Sequence, residues 1–159
     1  MGALLFLVVI LDKALAFRNR RAMACIQSPV KILARYLWPL GWTAVGLVCA
    51  LPALALGARA RWHQGVLEVC GGRLQRGCAG LPPALRFEAM TLGHVVLGLS
   101  ATDLAAVRAH ERVHVAQYER WGLLFVPAYL AESAWQWARG RDPYRHNRFE
   151  CAAYHQPPG

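Results

Sequence analysis

Hydrophobic and polar residues alternate differently in three parts of the chain. In residues 1–35 a short apolar run, Ala3–Leu11, is followed by Lys13, Arg18, Arg20, Arg21, Lys31 and Arg35 against Asp12 alone. That run is too short to cross a bilayer, and it lacks the basic start and small-residue cleavage site of a signal peptide. Next comes Tyr36–Ala58, 23 residues without a charge. A helix needs roughly 20 apolar residues to span a membrane. Trp38 and Trp42 stand near its start, where interfacial aromatics belong, and Pro52 is a kink that spans tolerate. The pattern predicts a transmembrane helix over 36–58. Basic residues ahead of it predict a cytoplasmic N-terminus and an extracytoplasmic C-terminal domain.

From residue 62 to 159 the pattern is that of a folded domain. Gly65–Cys70, followed by Gly71-Gly72, predicts a small hairpin. Gly77–Pro83 predicts a loop, and Arg86–Leu99 one or two strands around Gly93. From Ser100 the period becomes helical, with a capping-box start at Ser100 and Asp103 and a stop at Gly122. Further helices are predicted over Pro127–Ala138 and Arg148–Tyr154. Strands come first and helices afterwards, so the fold class predicted is α+β: short antiparallel strands, then a long helix and two more, behind an N-terminal transmembrane helix. Trp121–Trp137 carries one charge, Glu132, and predicts a buried or interfacial helix that dips into lipid headgroups.

Composition agrees with a small domain plus an apolar addition. Of 159 residues, 56% are hydrophobic and 17% charged, where soluble domains carry about 25% charged residues. Disorder is excluded, because it needs the opposite balance. The formal net charge is +9. A basic excess ahead of the uncharged segment fits nucleic acid or positive-inside topology, and the uncharged segment favours the lipid bilayer and argues against nucleic acid. Five cysteines are too few for a disulfide scaffold, although Cys70 and Cys78 could pair outside the cytoplasm.

The chemistry is concentrated at His110-Glu111-Arg112-Val113-His114. This is HExxH on a predicted helix. Residues four apart share a helix face, so both imidazoles reach one zinc ion while Glu111 acts as general base on water. A catalytic zinc takes a third protein ligand and keeps a fourth position open. Glu119 lies on another face of the same helix, and Asp142 lies in a loop. Glu132 and Glu150 remain on downstream helices. Glu150 has a simpler role open to it as well, as partner of Asn147 in a capping box. Nearby, His94, Gln117, Tyr154 and His155 are candidates for the cleft, the last two as oxyanion stabilisers.

HERVHVAQYERWG and NRFECAAY resemble compact, membrane-anchored zincins of the gluzincin type. In those domains HExxHxxQ is followed by a helix and then by Asn-x-x-Glu-x-x-Ala. Gln117 and Asn147–Ala153 fit that pattern, as does the strand Ala89–Val96, and the resemblance covers about residues 65–155. Arg148 departs from it, standing where such motifs have proline. The resemblance implies a zinc metallopeptidase with His110, His114 and Glu150 as ligands, Glu111 as base, and a peptide or protein substrate laid against the Thr91–Leu97 strand. The alternative is a membrane-anchored module that binds zinc without catalysis.

Overall fold

In a computed structural model the structure describes residues 29–73 and 88–155. The chain divides into two units, residues 1–34 and residues 35–159. Of the first, only the opening of a helix is described. That helix, α1, runs Pro29–Leu37, and the remaining elements belong to the second unit. They are α2 (Leu40–Ala55), β1 (Arg59–His63), β2 (Val66–Cys70), β3 (Ala89–Leu92), β4 (Val95–Gly98), α3 (Ala101–Trp121), α4 (Phe125–Ala138) and α5 (Arg148–Tyr154). A 3-10 turn, Gly122–Leu124, links α3 to α4. The fold is α+β.

Four strands form one sheet in the order β1-β2-β4-β3. β1 and β2 are antiparallel, joined at Gln64 and Gly65, whose φ values of 47° and 82° match the right-handed twist of a tight hairpin. The hairpin therefore turns at Gln64-Gly65 and not at Gly71-Gly72. Gly72 instead leads into Arg73, whose N–H caps the end of α2 at the Leu56 carbonyl. β3 and β4 form a second hairpin, but β4 lies parallel to β2, so the sheet is mixed and not antiparallel as expected. The physical reason is that the second hairpin adds to the sheet through its later strand, leaving β3 on the outside.

Both faces of the sheet are covered. On one, Val69, Val95 and Leu97 pack against Ala50 and Ala53 of α2. On the other, Val66 and Val96 pack against Leu104 and Val115 of α3. β4 is buried along its whole length, which accounts for its unbroken apolar sequence VVLG. Glu68 of β2 carries a charge into this interior, gripped by Arg108 of α3 through bonds of 2.8 and 3.1 Å.

The expected transmembrane helix over 36–58 is not one helix. Trp38 and Pro39 break it between α1 and α2. Sixteen residues of α2 rise about 24 Å, short of the roughly 30 Å of a bilayer core. Among the described residues no helix is long and apolar enough to cross a membrane. α2 instead supplies a layer of the domain, with a narrow stripe of small residues, Gly46, Ala50 and Ala53, turned to the sheet. β1 likewise begins at Arg59, ahead of the boundary expected at 62. Residues 1–28, the Gly77–Pro83 loop and any Cys70–Cys78 pairing lie outside the described residues.

Local signals set the helices of the C-terminal half. The Ser100 hydroxyl accepts from the Asp103 N–H at 3.0 Å and caps α3. Gly122 ends it at φ 56°, a conformation that favours glycine. α4 begins at Phe125, two residues ahead of the proline expected to open it.

The close approach at Gly46 makes the α2 layer testable. A Cβ there would lie 2.8 Å from both the Leu92 carbonyl oxygen and the Val95 Cβ. Gly46→Val is expected to destabilise the domain by about 1–3 kcal/mol through overpacking, read as a lower urea midpoint. An unchanged midpoint would contradict the packing of α2 on β3 and β4.

Candidate metal centre

α3 brings His110 and His114 to one side, as their spacing requires, and α5 brings Glu150 to meet them. The His110 Nε2 lies 3.3 Å from one Glu150 oxygen and the His114 Nε2 lies 3.4 Å from the other. The two Nε2 atoms are 3.1 Å apart. Donors bound at about 2.0–2.1 Å to a tetrahedral ion sit roughly 3.3 Å from one another. These three residues are the group that could hold a metal ion among the described residues.

Hydrogen bonding behind the site sharpens this. The Gln117 Nε2 donates to the Phe149 carbonyl at 2.9 Å. Its Oε1 is thereby left facing the His114 Nδ1, also at 2.9 Å, which must carry the proton. The His114 Nε2 then points a bare lone pair at a second imidazole and a carboxylate. One proton can lie on one of those three lines, whereas an ion at their centre satisfies all of them. Among the described residues the buried Glu150 Oε2 has no hydrogen-bond partner, nor has the His110 Nδ1. The donor set therefore fits a divalent cation.

Glu150 is held by a knot between α4 and α5. Asn147 is fully buried and caps α5, accepting from the Phe149 N–H at 2.9 Å. Its amide donates to the Tyr129 carbonyl at 3.1 Å and to the Ser133 hydroxyl at 2.8 Å, both on α4. The Tyr129 phenol donates to the Glu150 Oε1 at 2.7 Å. Glu150 thus turns to the histidines and Tyr129, and Asn147 caps without it. Burial alone would raise the Glu150 pKa, but the His110 and His114 imidazoles beside it and the Tyr129 phenol outweigh it and hold the carboxyl well below the usual range. His114 is shifted the other way: burial lowers its pKa, and the Glu150 carboxylate more than reverses that. Burial, then Glu150, pushes the Tyr129 phenol up.

The site opens into a cleft of about 390 Å³ between β3, α3 and α4. Its lining includes Met90 and Leu92 of β3, Tyr118 of α3 and Phe125 and Leu130 of α4. Glu111 lines the cleft beside the histidines, and its Oε2 accepts from the Thr91 hydroxyl at 2.6 Å. A second cavity, of about 290 Å³, lies between Arg59, Arg61 and Arg108 and holds none of the three ligands.

Other sequence candidates fall elsewhere. His94 is buried away from the cleft, its Nε2 3.2 Å from Glu119, with the Tyr36 ring tilted against it. Arg35 joins that carboxylate at 2.6 Å. Gln117 stands behind the metal site and not in the cleft. The Tyr154 ring lies 4.6 Å from the His110 ring, and its hydroxyl meets that of Tyr144, a cleft residue, at 3.2 Å. His155 is exposed and turns back to its own helix, at the Cys151 carbonyl. Glu132, the rival ligand, is taken by Arg148 and Gln136 at 2.8 and 2.7 Å. Arg148, out of place in the motif, thus has a partner here. Thr91, Tyr129 and Tyr144 escaped the sequence reading. Of these only Thr91 left a signal, as a polar residue at an inward strand position.

Comparison with family models, curated proteins and solved structures finds no match to the chain.

If Gln117 and Tyr129 orient the ligands, Gln117→Leu and Tyr129→Phe are each expected to weaken divalent-ion binding about 10–100-fold. Competition with a chromophoric chelator measures this, with His155→Ala as an unaffected control. Affinity unchanged in Gln117→Leu would remove the tautomer argument.

Proposed function

We propose that the domain is a zinc-dependent hydrolase, most simply a metallopeptidase of the zincin-like type, with His110, His114 and Glu150 as ligands and Glu111 as general base. The observation that carries this reading is the convergence of three lone-pair donors at tetrahedral spacing in the cleft that also holds Glu111. Two imidazoles and one carboxylate are the donor set of zinc hydrolases, which leave the fourth position to water or substrate. Bound there, zinc supplies Lewis-acid activation of water and of the scissile carbonyl.

The chain's own groups do the rest. Thr91 occupies one Glu111 oxygen and leaves the other to accept the proton that water loses on attack. The same carboxyl then returns the proton to the leaving amine. Tyr144 presents a phenol to the cleft, a donor suited to charge that develops on the carbonyl oxygen. β3, and not a longer Thr91–Leu97 strand, pairs with β4 on one side, and among the described residues its other edge has no strand partner. An extended peptide can add to that edge by main-chain hydrogen bonds, with apolar side chains against Leu92 and Phe125.

Glu111→Gln is expected to retain zinc and to lose about 10²–10⁴ in hydrolysis rate. Glu150→Gln is expected to lose zinc itself, because an anionic ligand is gone. Zinc should also leave the wild-type chain on acidification, as protonation of the imidazoles removes their lone pairs. Metal analysis and cleavage of a peptide library, run on both variants together, test this. Full zinc with no hydrolysis by the wild-type chain would point to the non-catalytic module, and zinc lost in Glu111→Gln alone would overturn the assignment of the two carboxylates.

A further inference from the structure

The second cavity, of about 290 Å³, lies where β1 and β2 meet the start of α3. Arg59 and Arg61 are two residues apart on β1, so their side chains leave the same face of the sheet. They stand opposite Cys70 and Glu68 in the register, and Glu68 reaches Arg108 of α3 from that face. Three guanidiniums thus line one hollow. Gly57, Gly71 and Gly72 border it without side chains to fill it. Its size is close to the lower end of the range for small-molecule sites, about 300 Å³.

A single surface arginine is solvated and needs no partner. Three around one hollow repel one another unless negative charge lies among them. Glu68 supplies some, but Arg108 already grips both of its oxygens. Arg61 faces Glu68 across the register without forming an ion pair with it. Among the described residues neither Arg59 nor Arg61 has a carboxylate partner, and no other acid borders the cavity. Residues 74–87, which follow in the chain, bring Arg76 and Arg86 and no acid. The unmet charge is left to a ligand.

Chemistry selects the anion. Three guanidiniums against one carboxylate leave a lining charge of +2, which a dianion matches. A carboxylate is satisfied by one arginine fork, whereas a tetrahedral phosphate turns oxygens in several directions and suits donors on two walls. Glu68 holds the Nε and Nη2 of Arg108 and so fixes its guanidinium in place, and among the described residues Nη1 makes no hydrogen bond. The first residue of α3, Ala101, also borders the cavity, and the dipole of that helix adds to the pull on an anion.

We propose that this cavity binds the phosphate monoester group of a ligand, held by Arg59 and Arg61 from β1 and by Arg108 from α3. The site is separate from the metal centre. α3 turns Leu104 and Arg108 to the cavity and His110 and His114 to the cleft, so the hydrolase reading and this one stand or fall apart.

Calorimetric titration of the full chain with phenyl phosphate, and separately with benzoate, tests this. The expected result is saturable binding of phenyl phosphate, with benzoate at least tenfold weaker. Arg59→Ala and Arg61→Ala, both at exposed positions, are each expected to weaken phenyl phosphate about tenfold or more. Arg141→Ala, exposed beyond α4, should leave it unchanged. Equal affinity for the two anions, or affinity unmoved by Arg59→Ala and Arg61→Ala, would overturn the proposal. So would binding that a chelator abolishes while circular dichroism is unchanged, because the phosphate would then sit on a metal ion. Vesicles containing phosphatidic acid present the same group in a bilayer. Flotation with them that phenyl phosphate displaces and Arg61→Ala abolishes would identify the ligand as a lipid headgroup, and phenyl phosphate binding without flotation would identify it as a soluble ester.

Discussion

Two imidazole nitrogens and a carboxylate face one another across 3.1–3.4 Å. Lone pairs brought that close repel unless positive charge lies between them. Much of the C-terminal half serves to hold them there against that repulsion. Ser100 starts the helix that carries both histidines, Gln117 fixes the tautomer of one, and Asn147 ties α5 to α4 so that Glu150 arrives from the other side. Gln117 serves both parts, since its amide also reaches the Phe149 carbonyl on α5.

The N-terminal half answers a different need. A mixed sheet buried on both faces must have a layer on each side, and α3 covers only one. α2 covers the second with residues small enough for its backbone to approach β3 and β4. That leaves its large apolar residues turned outward. The same uncharged segment thus does two things, closing the core with alanine and glycine and presenting leucine and valine to the surroundings. The Arg35–Glu119–His94 cluster joins the start of this segment to the end of α3, so the layer is tied to the helix that carries His110 and His114.

What the sequence revealed divides along the same line. HExxH, the caps at Ser100 and Asn147 and the span of α5 were legible because each depends on residues within one or two turns. Glu132 and Glu150 could not be separated by spacing alone, and resemblance chose between them. In the structure the choice turns on Arg148, which neutralises Glu132 from the same helix that carries Glu150. The parallel pairing of β2 with β4, the sheet-covering role of α2 and the grip of Thr91 on Glu111 join residues distant along the chain. No local pattern encodes them. Twenty-three uncharged residues resemble a membrane span and a buried layer equally, since both demand apolar side chains and neither records what stands opposite.

The account rests on a metal ion between His110, His114 and Glu150, and X-ray absorption at the zinc edge of the purified full chain tests that most directly. The predicted result is about one zinc per chain in a four-coordinate shell of nitrogen and oxygen at about 2.0–2.2 Å, with the outer-sphere signature of two imidazoles. A chain with no zinc, or a shell showing sulfur at about 2.3 Å, would contradict it.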